Sequence, residues 1–189
     1  MTTETVLTNK WQLNLRGLVL IGSGILLFMV TQNYSKQLPL LFSALMLLAG
    51  ILGLLFVSKN KLEHIRRGWL MMESSADIIF SIVVLYLYFQ SENIIADFIM
   101  AFALFSFFMS FTQILNIFRI LQLGLIPNIK IVAARAAVAF AYGIFAVVVM
   151  AKGASSESTE VINFIGVGPI SAGILIFLLC DSLYIVKKR

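Results

Sequence analysis

A chain of 189 residues that is 60% hydrophobic and only 12% charged is too apolar for a water-soluble domain, so its solvent is lipid. The net charge of +5 does not mark a nucleic-acid binder, because the basic residues sit in short groups between apolar stretches with no aromatic residues interleaved. A single cysteine, Cys180, and a single histidine, His64, exclude an internal disulfide framework, a metal cluster and bis-histidine haem, and no cofactor is expected.

About 20 helical residues cross a ~30 Å hydrocarbon core. Apolar runs of that order cover residues 13–31, 38–57, 69–89, 94–118, 131–151 and 161–186. They read as an all-α membrane protein of six transmembrane helices, arranged as three repeated helical hairpins at 13–57, 69–118 and 131–186. Residues 1–12 form a short N-terminus and 187–189 a basic tail. A β-barrel does not fit, since the runs lack alternating polarity, whereas helices satisfy every backbone group internally. The connections, 32–37, 58–68, 90–93, 119–130 and 152–160, are too short for an extramembrane domain.

Span one follows Lys10 as a signal peptide would, but no small-x-small cleavage site follows it, so it is expected to stay. Asn33-Tyr34-Ser35 fits a glycosylation acceptor, though it almost touches the membrane. Lys10, Arg16, Lys59, Lys61, Arg66, Arg67, Arg119, Lys130, Arg135, Lys187, Lys188 and Arg189 fall on one side of the six spans, and only Lys36 and Lys152 on the other. The positive-inside rule then places both termini in the cytoplasm, in a plasma (inner) membrane. Trp11 and Trp69 open spans one and three at the same interface, where indoles are favoured.

Charges within spans cost at least ~2.5 kcal/mol each at a helix centre, so they should face partners or water. Arg16, Glu73 and Arg135 lie at equivalent depths on spans one, three and five. Two readings follow: Glu73 pairs with one or both arginines and fixes the assembly, or both arginines snorkel to lipid phosphates. Asp77 lies one turn beyond Glu73, and Ser81 continues that stripe. Asp77 is either a protonation site in a proton or cation pathway, or a hydrogen-bonding group that glues span three to Ser106, Ser110 and Gln113 of span four. The structural role is the commoner one. Asp97 and Asp181 lie near opposite membrane faces, and Gln113 and Asn116 suit interhelical hydrogen bonds.

In span five, Ala133, Ala137 and Ala141 form one small-residue line and Ala139 with Gly143 another, which suggests a central, tightly packed helix. In span six, Gly166, Gly168 and Pro169 suggest a kink at the proline or, less commonly, an unwound ion site.

Self-comparison finds a period of about 60 residues. Arg16 with Gly24-Ile25, Glu73 with Ser81-Ile82 and Arg135 with Gly143-Ile144 share one internal spacing, and Gly50-Ile51-Leu52, Ser110-Phe111-Thr112 and Gly173-Ile174-Leu175 supply a second register. Through Trp11…Leu15-Arg16-Gly17…Gly24-Ile25-Leu26, Trp69-Leu70…Glu73…Ser81-Ile82 and Ala49-Gly50-Ile51-Leu52, the chain resembles the HdeD-like family of short bacterial membrane proteins. It departs from that pattern at Ser74, where glycine is usual, and in lacking an opening tryptophan in the third unit. The resemblance implies repeated two-helix units and an association with acid resistance.

The sequence has no phosphate loop, metal-ligand spacing or nucleophile–base pair, so an enzyme is not expected. A non-catalytic, stress-associated membrane protein is the first reading, and a small proton- or ion-coupled transporter using Asp77 with Glu73 is the alternative. Expected partners are the lipid bilayer and either a second copy or another membrane protein, with no nucleic acid. On the outer side Glu92, Asp97, Glu157 and Glu160 outnumber Lys36 and Lys152, so strong external acid would reverse the sign of that face. Depletion of outer lysine and arginine by topology alone would produce the same imbalance.

Overall fold

The computed structural model describes residues 10–29, 37–60, 64–122, 129–152 and 165–185. They form six helices: α1 (Lys10–Met29), α2 (Leu38–Lys59), α3 (His64–Gln90), α4 (Ile94–Gln122), α5 (Ile129–Lys152) and α6 (Val167–Ile185), with no strand among the described residues. The first five are long and apolar enough to cross a membrane, and α6 contributes the shorter apolar stretch Val167–Cys180. Several boundaries lie outside the apolar runs. α3 opens at His64 rather than at residue 69, α4 runs on to Gln122, and α5 starts at Ile129. Hydropathy ends a span at the first charges, but arginine, leucine and glutamine are good helix formers, so the backbone coils on past them.

Each helix packs against its neighbours in the chain, and α6 packs back on α1, which closes a six-helix ring. The most extensive seams are α2/α3, α4/α5 and α1/α6, and the loosest consecutive seam is α3/α4. Small residues make the tight seams, since close backbone approach supplies the dispersion contacts that lipid does not drive hydrophobically. On α1/α6, a Cβ added at Gly24 would lie 2.6 Å from the Gly166 carbonyl oxygen, and one at Gly173 would lie 2.6 Å from that of Gly17. Gly17 and Gly24 are spaced as Gly166 and Gly173 are, two turns apart, so the helices touch twice in antiparallel register. On α2/α3, Gly50 lies against the Ser74 carbonyl, and the Ser81 hydroxyl donates to the Ser43 carbonyl at 2.8 Å. On α4/α5, Ser110 donates to the Ala139 carbonyl at 2.8 Å beside Gly143.

Two expectations change here. Of the two small-residue lines on α5, Ala139 and Gly143 face α4, whereas Ala133 and Ala137 are exposed, so α5 is a wall of the ring rather than its centre. Pro169 does not kink a span. The break falls at Gly166, and Pro169 sits in the first turn of α6, where a missing N–H removes no intrahelical bond. Asn33, Lys36, Lys61, Lys187, Lys188 and Arg189, and the side chain of Asp181, lie outside the described residues.

The interior has two halves. Away from the end that carries Lys10, Lys59 and Lys130, interlocked rings fill it: Phe42 meets Phe80, Phe98 and Phe102 edge to face, and Phe102 meets Phe145 at 5.2 Å. Toward the basic end it is polar. Arg16, Glu73, Asp77 and Arg135 are each at most 6% exposed, while Ile79, Leu104, Phe118 and Phe140 are each at least 59% exposed. Charges inside and large apolar side chains outside invert the water-soluble pattern, and lipid is the solvent that favours the inversion.

The glycine seams are directly testable. Gly24→Ala should destabilise the purified protein by about 1–3 kcal/mol through overpacking. Gly22, where an added Cβ meets nothing within 4 Å, is the internal control, and Gly22→Ala should be neutral or slightly stabilising. Unfolding in mixed micelles checks both, and equal effects at the two sites would contradict the α1/α6 register.

Candidate functional site

The polar half is assembled from helix faces that heptad-like spacing turns inward. On α1 the buried face runs through Leu13, Leu20 and Leu27, and it carries Gln12 and Arg16 one turn apart. On α3 it runs through Leu70, Glu73, Ser74, Asp77, Phe80, Ser81 and Val84. α4 adds Gln113 and Asn116, and α5 adds Arg135 and Tyr142.

Two ion pairs form. Arg16 Nη2 donates to Asp77 Oδ2 at 2.8 Å, with both side chains about 2% exposed. Arg135 Nη1 lies 3.5 Å from Glu73 Oε1. Gln113 bridges the second pair: its Nε2 donates to Glu73 Oε1 at 2.8 Å and its Oε1 accepts from Arg135 Nη1 at 2.6 Å. Asn116, with its amide oriented to match donors with acceptors, accepts from Arg135 Nη1 and Nη2 at 2.5 and 3.2 Å. The four charges sum to zero. Pairing of this kind is what charge buried away from water requires.

Glu73 and Asp77 serve different helices because of where they stand on α3. Four residues advance about 6 Å along a helix and about 40° around it, enough to direct one acid toward α4 and α5 and the other toward α1. Room for Arg16 comes from α2. A Cβ at Gly53 would lie 3.1 Å from Arg16 Nη1 and would run into the Ser74 hydroxyl, which is occupied with the Leu70 carbonyl at 2.7 Å. Arg16 engages Asp77 through Nη2, while its buried Nε and Nη1 have no hydrogen-bond partner, nor does Gln12 Oε1 one turn away. Two donors and an acceptor left in that state are groups that water or a ligand can satisfy.

Arg16, Glu73, Asp77, Arg135, Gln113 and Asn116 are all in this region, with partners redistributed. Glu73 meets Arg135 but not Arg16, which lies on Asp77, so Asp77 is not a deep acid without a cation. Both guanidinium groups are buried rather than turned out to lipid. The stripe expected to join α3 to α4 divides: Ser81 bonds to α2, Ser110 bonds to α5, and Gln113 reaches Glu73. Asp97 is exposed near the start of α4, where it accepts from the Ser91 hydroxyl. Gln12, Gly53 and Tyr142 were not singled out. Gln12 had a signal, since it lies one turn from Arg16 on the same face, but Gly53 matters only through what α3 and α1 place against it.

No protein-family model, curated protein or solved structure matches the chain.

Charge exchange separates the pairs. Arg16→Asp or Asp77→Arg alone should lose about 3–5 kcal/mol by stranding a buried charge. The double exchange Arg16→Asp with Asp77→Arg should recover part of that loss, and Arg16→Glu with Glu73→Arg should recover none. Unfolding free energies in mixed micelles are the measurement. Recovery through Glu73 and not through Asp77 would redraw the network.

Proposed function

We propose that this chain is a non-catalytic, multi-pass protein of the plasma (inner) membrane, with six spans as three repeated hairpins and both termini cytoplasmic, acting in resistance to stress such as acid, as its HdeD-like resemblance implies. Its immediate partner is the bilayer, with a second copy or another membrane protein as the associating species. One observation carries the non-catalytic reading: each interior carboxylate bonds to an arginine of another helix, so the buried charges are engaged in joining α1, α4 and α5 to α3. The aromatic cluster that fills the other half supports the same reading, because Phe42, Phe98, Phe102 and Phe145 offer no ionisable group to continue a path from Asp77.

A second reading, a proton- or ion-coupled transporter centred on Asp77 with Glu73, is favoured by one feature. Arg16 holds Asp77 by a single nitrogen and keeps two buried donors without partners, so an exchanging ion or proton would find Asp77 singly bonded. Flux into proteoliposomes distinguishes the two. Wild-type protein and Asp77→Asn should both match empty vesicles, and proton or cation flux present in wild type and lost in Asp77→Asn would establish the transporter.

The acid association has its own test. Glu92 and Asp97 are exposed at the end of the bundle away from Lys59, and Glu157 and Glu160 lie outside the described residues. In cells made acid-sensitive by loss of the protein, wild type should restore survival, and a chain with all four acids changed to amides should not. Equal rescue by both would sink the charge-reversal mechanism.

A further inference from the structure

We propose that the groove between α3 and α4 binds one acyl chain of a phospholipid whose headgroup carries a primary ammonium, with that ammonium held by Asp97. This rests on the membrane-spanning reading above. The groove exists because α3 and α4 are the most loosely joined neighbours in the ring, and it encloses about 700 Å³. That volume falls within the ~300–1,000 Å³ typical of small-ligand sites. Ala76 and Ala101 help to line it, and the outward side chains of Ile79 and Leu104 stand beside them, 62% and 59% exposed. Phe80 and Phe105, stacked with centroids 4.5 Å apart, also line it and lie between it and the aromatic cluster of the ring interior. The site is therefore a lateral groove facing the bilayer and not an entrance to the charge network.

Its dimensions and its one carboxylate define the occupant. Lining residues extend from Met72 to Leu87 on α3, about 22 Å at the helical rise, and from Asp97 to Phe108 on α4, about 16 Å. One leaflet of hydrocarbon is about 15 Å thick, so a single lipid chain fits the groove lengthwise. Asp97 lies at the end remote from Lys59 and Lys130, near the first turn of α4, with the Ser91 hydroxyl orienting its carboxylate and exposed Glu92 close by in the chain. No lining residue is basic. An ammonium headgroup is attracted there and an anionic headgroup repelled. A second copy seated symmetrically on the same groove would bring two Asp97 carboxylates together at the membrane edge, which disfavours that occupant.

The test uses the full chain, stripped of lipid in mild detergent and offered equal amounts of phosphatidylethanolamine and phosphatidylglycerol. Native mass spectrometry should show one retained phosphatidylethanolamine per chain, preferred about fivefold, the ratio expected for one charge contact at a membrane surface. Asp97→Asn should abolish the preference, and Ala101→Phe should remove the bound lipid. Leu104→Trp in a chain with Trp11→Phe and Trp69→Phe gives a readout that does not depend on a groove-filling variant folding: in vesicles its single-tryptophan fluorescence should be quenched more by brominated phosphatidylethanolamine than by brominated phosphatidylglycerol. Equal retention and equal quenching by the two lipids would overturn the proposal, as would a lipid-free dimer that Ala101→Phe converts to monomer. Alkaline carbonate separates the levels: a chain it extracts from membranes contradicts the spanning reading itself, whereas a resistant chain without lipid preference contradicts only the groove.

Discussion

Everything in the polar half depends on the absence of solvent for a charge. In a bilayer interior a guanidinium or a carboxylate has only another buried group to turn to, so the four interior charges must find one another. Both acids stand on α3, and the bases come from opposite sides of the ring. That makes α3 the hub: Asp77 reaches α1, Glu73 reaches α4 and α5 through Gln113, and Ser81 reaches α2. Hydrogen bonds in such a medium are strengthened by the low dielectric, and the same low dielectric penalises any register that leaves one unmade. The network thus specifies register, while the bulk of the attraction comes from packing.

Packing divides its work by location. Glycines at α1/α6, and Ser110 with Gly143 at α4/α5, bring backbones close, and on α2/α3 Gly50 and Gly53 do so beside the Arg16–Asp77 pair. The aromatic cluster fills the wider space in the half away from the basic end. The α3/α4 seam is the exception. Glu73 and Gln113 fasten it within the polar half, and beyond the Phe80–Phe105 stack the two helices present a groove instead of a contact. A joint fastened by polar groups on its inner side and open along its outer side gives the ring one face unlike its other sides.

The solvent and the element type were legible from residues alone. Runs of about 20 apolar residues leave helices as the structure that satisfies the backbone in lipid, and the α3 periodicity of Glu73, Asp77 and Ser81 marked one inward face. Arg67, Arg119 and Lys130 fall in connections by hydropathy and yet lie on helices, because hydropathy reports where a side chain prefers to be, not where the backbone stops coiling, as His64 at the start of α3 also shows. Small-residue lines were visible too, but Ala133 and Ala139 look alike in sequence and only one faces a neighbour.

Residue spacing and hydropathy are thus enough for the apolar helices and for the set of charges that must be satisfied inside, whereas the pairing is fixed by how the helices pack. Arg16 had two acids one turn apart within its chemical reach, and the choice of Asp77 follows from the angle at which α3 presents each carboxylate and from the space that Gly53 leaves on α2. The closure of α6 on α1 and the opening between α3 and α4 are likewise properties of helices placed against one another. Spacing along a helix defines its faces, but which face meets which neighbour is set by the packing of all six together.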